Sequence, residues 1–113
     1  MIKTIPSHPD YGCDVLGNVY KMTGPQPRIL KISERGGISK ATRYSGVYIG
    51  KAGSKYVHKL IAETWLSSWN PILCVDHING IRKDNRAENL RCLTYIENAQ
   101  NSHTLGVSKQ ING

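Results

Sequence analysis

The first regular pattern of apolar positions along the chain predicts a helix that starts near Val57. Four apolar residues recur at spacings of three, one and four positions, which places them on one face of an α-helix. These residues are Val57, Leu60, Ile61 and Trp65. We expect Trp65 in the core. His58 lies off this face, and we interpret it as a structural residue or a phosphate contact, with a direct catalytic role as the lesser alternative.

Before this helix, short apolar runs separated by glycine and proline predict a β-rich region. Residues 15–20 are interpreted as two short strands around a Gly-Asn turn, and residues 44–57 as a hairpin with a lysine-rich tip. Pro6 and Pro9 predict that residues 1–10 form an irregular lead-in. The chain up to this helix is therefore expected to form a small antiparallel sheet.

After the helix, the pattern predicts two strands and a second helix. Residues 75–77 are interpreted as the end of one strand, and residues 89–93 as the strand that returns beside it. Thr94 and Glu97 form a capping box, in which each side chain satisfies a free backbone amide at the start of a helix. This order makes a ββα unit with four polar residues gathered at one end. They are Asp76, His77, Asn89 and Asn98.

The positions of Asp76 and His77 set a geometric condition on this unit. Neighbouring side chains on a regular strand point to opposite faces. The two converge only if the strand ends or bulges there, so that His77 already belongs to the loop. The Asn79-Gly80 pair that follows favours such a turn.

The charge is positive and unevenly distributed. Fifteen Lys and Arg against eight Asp and Glu leave +7, which favours a polyanionic partner over an acidic small molecule. Residues 1–70 carry a net +6 and residues 71–113 a net +1. Tyr44 and Tyr48 share one face of their strand, and we expect packing rather than base stacking. Basic side chains interleaved with tyrosine predict a sheet that follows phosphates, while a basic surface that only aids solubility is the alternative. They are Lys21, Arg28, Lys31, Arg35, Lys40, Arg43, Lys51 and Lys55.

Length and element order define the expected architecture. At 113 residues the chain has the size of one domain with a modest core. The fold class is α+β, with a small N-terminal antiparallel β region and a helix followed by the ββα unit. We divide it into a basic β-rich DNA-binding region, residues 1–56, and a helix plus ββα module, residues 57–113.

The cysteines and the apolar content exclude several classes of protein. Cys13, Cys74 and Cys92 are odd in number and contain no CxxC pair, so they predict neither a zinc site nor a disulfide framework. Cys74 and Cys92 fall on the predicted strands and are expected to be small core residues. No signal peptide is evident, and no stretch approaches the roughly 20 apolar residues that span a bilayer. The sequence predicts a cytosolic protein without a membrane partner.

The ββα segment resembles the metal site of HNH nucleases in its His-Asn-Asn variant. It is most similar to that of phage intron-encoded HNH homing endonucleases. The matching residues are the Asp76-His77 pair, the run Asp-Asn-Arg-Ala-Glu-Asn-Leu-Arg over residues 84–91, and Asn98, all at matching spacing. Position 98 is Asn where many relatives carry His. Residues 11–20 resemble, more loosely, a small nuclease-associated module that precedes many phage HNH domains.

This resemblance implies a metal-dependent DNA endonuclease of phage or mobile-element type, which hydrolyses phosphodiester bonds. His77 is expected to be the general base, since its ordinary pKa lies near neutrality. Asp76 and Asn98 are expected to bind one divalent ion, Mg²⁺ or Mn²⁺, and no structural zinc is expected. By resemblance, Asn89 ties the loop down and orients His77. The alternative is a non-catalytic DNA-binding protein derived from such a nuclease, although the intact set of four polar residues favours the enzyme.

Basic residues of the long loop and of the hairpin are expected to bind double-stranded DNA through its phosphates. They are Arg82, Lys83, Arg86, Arg91, Lys51 and Lys55. Asp84 and Asn85 are interpreted as bracing the loop through hydrogen bonds from side chain to backbone.

One ββα unit contains one base and one metal site, so a nick in one strand is the expected product. Nothing in the sequence marks a dimer face, and we expect a monomer in the cytoplasm of a bacterial or phage-infected cell. Asn101 and His103 are interpreted as surface residues. Similar homing enzymes continue into a helical DNA-reading module, whereas residues 102–113 are short and polar, so weak sequence preference is expected.

Overall fold

The computed structural model describes residues 1–35 and 43–102. Lys40 and His103 lie outside the described residues, as do the side chains of Arg35 and Asn101. The described part contains strands and helices in the expected α+β order. In chain order they are β1 (Lys3–Ile5), β2 (His8–Cys13), β3 (Val19–Lys21), β4 (Arg28–Ile29), β5 (Ser33–Arg35), β6 (Tyr44–Tyr48), β7 (Ser54–Tyr56), α1 (Val57–Trp65), β8 (Cys74–His77), β9 (Leu90–Leu93) and α2 (Tyr95–Ser102).

Strands β1 to β4 form an antiparallel sheet in chain order. The prediction of an irregular lead-in over residues 1–10 is wrong, because both prolines fall where a strand needs no amide. Pro6 lies in the turn between β1 and β2. Pro9 lies where the register of β1 against β2 shifts, so residues 9–11 have no partner on β1. A proline at such a bulge removes no hydrogen bond from the ladder.

A tight turn over residues 14–18 joins β2 to β3. The predicted hairpin exists, but β2 already ends at Cys13 and β3 starts only at Val19, whereas the prediction placed both strands within residues 15–20. Leu16 is exposed. The cause is Asp14, whose carboxylate accepts hydrogen bonds from the backbone amides of Leu16 and Asn18, both at 3.0 Å. This local bonding offers the backbone an alternative to the strand ladder.

Strands β5, β6 and β7 form a second antiparallel sheet, and α1 follows β7 directly. The hairpin predicted over residues 44–57 is confirmed as β6 and β7 joined through a 3₁₀ turn. The predicted helix is confirmed as α1, which contacts strands of all three sheets. Trp65 packs against the core, and its indole Nε1–H donates to the Cys13 carbonyl at 3.2 Å. Packing and this bond fasten α1 to the first sheet.

One apolar core lies under α1 and takes residues from all three sheets. Its members are Ile5, Cys13, Val19, Val47, Ile49, Val57, Leu60, Ile61 and Leu90. They come from both sides of the boundary that we placed between residues 56 and 57, and this boundary stays a prediction. Cys74 and Cys92 are half-buried free thiols rather than core residues, so that expectation was wrong. Their ribbon has two strands and shields its side chains only partly.

Strands β8 and β9 form an antiparallel ribbon, and α2 packs beside it. The capping box at the start of α2 is confirmed in both directions. The Thr94 amide donates to Glu97 Oε1 at 2.9 Å, and the Glu97 amide donates to Thr94 Oγ1 at 3.2 Å. These bonds fix where the helix begins. In the described ranges, no helix is long and apolar enough to cross a bilayer.

Candidate active site

His77 is the last residue of β8 and is buried, with 5% of its surface exposed. It pairs with Leu90 on β9 in regular register, and the prediction that residues 75–77 end a strand is confirmed. Asp76 pairs with Arg91 in the same register. Regular alternation directs neighbouring side chains to opposite faces, but β8 ends at His77, and the Asp76 charge still acts on the His77 ring.

The imidazole of His77 contacts a residue of the long loop. Its Nε2 lies 2.7 Å from Asn85 Oδ1, a buried pair. Because a carbonyl oxygen only accepts, Nε2 must carry the hydrogen and donate it, which leaves the lone pair of neutral His77 on Nδ1. Asn85 was expected to bond to the loop backbone, but its side chain fixes the His77 tautomer instead. Sequence spacing gave no signal for this contact.

His77 is held in its neutral form. Burial lowers the pKa of His77 below the ordinary 6.5, although the Asn85 hydrogen bond and the Asp76 charge oppose the shift. A histidine with a lowered pKa is uncharged at neutral pH and can accept a proton. The environment thus supplies the protonation state that a general base needs.

A second histidine packs against His77. The His58 and His77 ring centres are 5.1 Å apart, and Tyr44 and Tyr56 lie 5.0 Å and 5.5 Å from His58. His58 is buried, contrary to our placement of it off the apolar face, because β6 and β7 cover that side of α1. Burial, with the charges of His77 and Lys59, lowers the pKa of His58 to about 3. Within the described residues, its buried Nδ1 has no hydrogen-bond partner.

Asn89 fastens the long loop to the ribbon. Its Nδ2 donates to Asn79 Oδ1 at 2.9 Å and to the Asp84 carbonyl at 2.8 Å, and its Oδ1 accepts from the Asn79 amide at 3.1 Å. The buried Asn89 side chain therefore closes a loop of ten residues. The described residue that bonds the His77 ring is Asn85, so a direct orienting role for Asn89 stays a prediction.

The two predicted metal ligands lie on the ribbon and on α2. The Arg91 Nε donates to Asp76 Oδ2 at 2.9 Å, so a cation already lies against this carboxylate. Asn98 is half-buried in the second turn of α2, whose start packs beside β8 and β9. No hydrogen bond between the Asp76 and Asn98 side chains occurs in the described ranges.

The loop cations predicted to bind DNA are held by side chains of the protein. Lys83 bonds Glu34, and the Arg82 guanidinium lies 5.1 Å from the centre of the Tyr44 ring. The Arg86 guanidinium bonds Asp84 twice at 2.8 Å and Glu88 at 2.6 Å. These contacts place the cations along the loop, and Lys51 and Lys55 are exposed on the hairpin. Asp84 bonds the backbone of Arg86, as expected, and its carboxylate also accepts from the Arg86 side chain and from Asn79 Nδ2.

The N-terminal turn over residues 14–18 contacts the loop that carries Asn85. The Ala87 amide donates to the Val15 carbonyl at 2.8 Å. Gly17 has φ +96°, and a Cβ there would lie 3.1 Å from the carbonyl carbon and oxygen of Asn85. Glycine therefore allows both the turn and the close approach. Sequence reasoning missed this contact because the two segments are about seventy residues apart.

A family model described as HNH endonuclease matches residues 55–100, which include β8, the long loop, β9 and most of α2. Over these residues, the chain is similar to the HNH endonuclease family. The match also includes α1, and with it His58. The resemblance that the sequence suggested is confirmed.

Two relatives extend this result. An uncharacterised HNH endonuclease of Acanthamoeba polyphaga mimivirus is 40% identical over 81 residues, which are 66% of this chain and 19% of the relative. The solved structure of the HNH homing endonuclease I-HmuI, which binds and cleaves DNA, is 29% identical with a TM-score of 0.69. That likeness covers 99% of this chain and 64% of the solved one. The chain thus spans less than two thirds of either relative.

The donor set of Asp76 and Asn98 fits a hard divalent ion whose remaining ligands are water and phosphate. His, Cys, Asp and Glu form no metal-binding group of three among residues 1–35 and 43–102. Asp76 offers a carboxylate and Asn98 an amide oxygen, which are donors that Mg²⁺ and Mn²⁺ accept together with water and phosphate. The Arg91 guanidinium beside Asp76 places a positive charge against this carboxylate.

Proposed function

We propose that this chain is a metal-dependent endonuclease that nicks double-stranded DNA, of the type carried by phages and mobile elements. The observation that carries the proposal is the buried His77–Asn85 pair beside Asp76, on a ribbon of the HNH family. A neutral histidine of fixed tautomer next to a carboxylate matches the base and ligand that phosphodiester hydrolysis requires. The likeness to I-HmuI supports DNA as the substrate.

In the proposed reaction, His77 Nδ1 removes a proton from the attacking water. The water oxygen forms a bond to phosphorus, the bond from phosphorus to the 3′ oxygen breaks, and solvent protonates the leaving oxygen. Asn85 holds the imidazole through Nε2, so that Nδ1 carries the lone pair. When bound, a divalent ion supplies positive charge to the phosphate and the leaving oxygen. Asp76 and Asn98 are the residues that would hold it.

The proposed DNA contacts follow the loop and the hairpin. Arg82 and Lys83 lie on the loop that begins where β8 ends, which suits them to the phosphates of the strand being cut. Lys51 and Lys55 on the hairpin suit more distant phosphates, since contacts of this kind position the duplex without reading its sequence. Each contact should weaken as salt concentration rises.

The first test is Mg²⁺-dependent conversion of supercoiled plasmid to the open-circular form, with His77→Ala as the variant. We expect the variant to lose roughly 10²–10⁴ in rate, the usual worth of a general base, and to keep its DNA affinity within a few-fold. His8→Ala is a matched control, because it removes a histidine from β2 rather than from the HNH segment.

Two results would contradict the proposal. Normal cleavage by His77→Ala would show that the base lies elsewhere. A wild-type protein that binds plasmid yet never nicks it with Mg²⁺ or Mn²⁺ would instead be a DNA-binding protein derived from a nuclease.

A further inference from the structure

The ion pair between Arg91 and Asp76 follows from the register of the ribbon. The two residues are direct cross-strand partners on β8 and β9. Side chains at such a pair of positions lie on the same face and close together. The register therefore keeps the guanidinium within reach of the carboxylate, while the long Arg91 side chain can still turn away from it.

The pair is asymmetric in its exposure. The Asp76 side chain is 14% exposed and that of Arg91 is 37% exposed, so the carboxylate is shielded and the guanidinium reaches solvent. The contact uses Nε and Oδ2, and no bond from Nη1 or Nη2 is recorded within the described ranges. The Arg91 charge also acts on Glu97, and the Nη groups of Arg91 are donors of the kind from which a phosphate accepts.

We propose that Arg91 competes with the divalent ion for Asp76, and that a DNA phosphate relieves this competition by drawing the guanidinium away. The inference rests on the proposed function, in which Asp76 is a metal ligand. In the free protein, the positive charge beside Asp76 opposes a second cation. On DNA, the guanidinium exchanges the carboxylate for a phosphate, and Asp76 becomes available to the ion.

This exchange makes metal binding depend on DNA. Because binding free energies are reciprocal, DNA raises the affinity for metal by the same factor by which metal raises the affinity for DNA. The free protein therefore keeps little metal at the site, and the site is completed only on substrate. Arg91 acts here as a positioning residue for the ion's ligand.

The test is a MgCl₂ titration in which NMR monitors the backbone amide resonance of Asp76. This resonance reports on the site separately from Mg²⁺ bound elsewhere on DNA. Wild-type and Arg91→Gln sequences are compared, free and on a short duplex, and all samples also carry His77→Gln so that the DNA stays intact. Free Arg91→Gln should bind Mg²⁺ at least roughly fivefold more tightly, as a unit charge close to a divalent ion implies even at the dielectric constant of water. On DNA, the Mg²⁺ affinities of the proteins with Arg and with Gln at position 91 should agree within about twofold.

Arg86→Gln is the matched control. It removes the same charge from the same module, but its guanidinium bonds Asp84 and Glu88 instead of Asp76. Its affinity for Mg²⁺ should stay within about twofold of wild type in the free protein, since general charge alone acts weakly at a distance. In the wild-type sequence, the Arg91 Nε–Hε resonance should also shift when DNA binds.

The possible results distinguish a failure of the proposed competition from a failure of the proposed metal site. An unchanged or weaker affinity in free Arg91→Gln overturns the competition. An equal gain with and without DNA shows that Arg91 stays on Asp76, which overturns the exchange. No response of Asp76 to Mg²⁺ in any sample, with or without DNA, overturns the metal site itself and the inference with it.

Discussion

At the scale of single residues, the site places two adjacent histidines in different surroundings. His77 has a polar partner in Asn85, whereas His58 lies among aromatic rings with its Nδ1 unpaired in the described structure. Burial lowers the pKa of both. His77 is therefore suited to proton transfer, whereas His58 supports His77 by packing against it.

His58 should make the fold sensitive to acid. Its folded pKa of about 3 lies below the ordinary 6.5, so the unfolded chain takes up the proton first as the pH falls. Stability from neutral His58 is complete above pH 6.5 and is lost as the pH falls toward 3. Near pH 4.5 the loss relative to neutral pH should be about 2–3 kcal/mol.

His58→Phe keeps a ring and removes the titration, so its unfolding free energy should fall less over the same interval. Urea unfolding of both proteins at neutral and acid pH measures the difference. Parallel pH dependences would contradict the assignment.

Asn85→Ala should slow nicking by roughly tenfold or more while DNA affinity changes little. The imidazole of His77 would lose the acceptor that fixes its tautomer. Single-turnover rates and a binding titration separate the two effects, with Asn79→Ala as a loop variant that does not bond His77. A larger loss of affinity than of rate would assign Asn85 to DNA binding instead.

The residues of the motif could be predicted from spacing, and their contacts only in part. The motif lies within a short stretch of sequence, so its spacing alone identifies Asp76, His77, Asn89 and Asn98. The contact between Asn85 and His77 needs the loop to fold back onto β8, and no periodic pattern in the sequence predicts that fold of the loop. His58 was misplaced because the helical pattern gives one apolar face, and it does not show that β6 and β7 fold back over the other side of α1.

At the scale of elements, those that depend on neighbouring residues could be predicted, and those that depend on contacts between distant segments could not. α1 was predictable from its spacing and the start of α2 from its capping box, since both depend on neighbouring residues. β1 and β2 were missed because proline in a bulge looks like proline in a loop. The contact of the turn over residues 14–18 with the Asn85 loop is wholly a tertiary feature.

Gly17→Ala should destabilise the protein and slow nicking together. Both Gly17 and Gly24 have positive φ, at +96° and +106°, but a Cβ at Gly24 would meet nothing within 4 Å. Gly24→Ala therefore measures backbone strain alone, about 1 kcal/mol. Gly17→Ala adds a clash with the Asn85 backbone and should cost at least about 1 kcal/mol more.

The nicking rate decides whether this contact serves the site. Gly24→Ala should keep the wild-type rate at a temperature where every variant is folded, and Gly17→Ala should lower it. Equal rates for both variants would show that the turn stabilises the fold without positioning Asn85.

At the scale of the whole molecule, one core and one site imply one cut per encounter. The three described sheets and α1 contribute to one core, and the ββα unit occurs once within the described ranges. We therefore expect a monomer that first converts supercoiled plasmid to the open-circular form. Linear DNA should appear late, through independent nicks, in a time course at low enzyme concentration. Linear product from the earliest points, at a rate that rises with the square of enzyme concentration, would show a dimer that cuts both strands.

The backbone bond between Val15 and Ala87 limits how proteins of this kind can exchange parts. A gene fusion that joined residues 57–113 to a different DNA-reading module would leave the Ala87 amide without its acceptor and Leu90 without its N-terminal neighbours in the core. A workable exchange must keep the turn over residues 14–18 with the segment that cuts. The N-terminal turn and the ββα segment can therefore be transplanted only together.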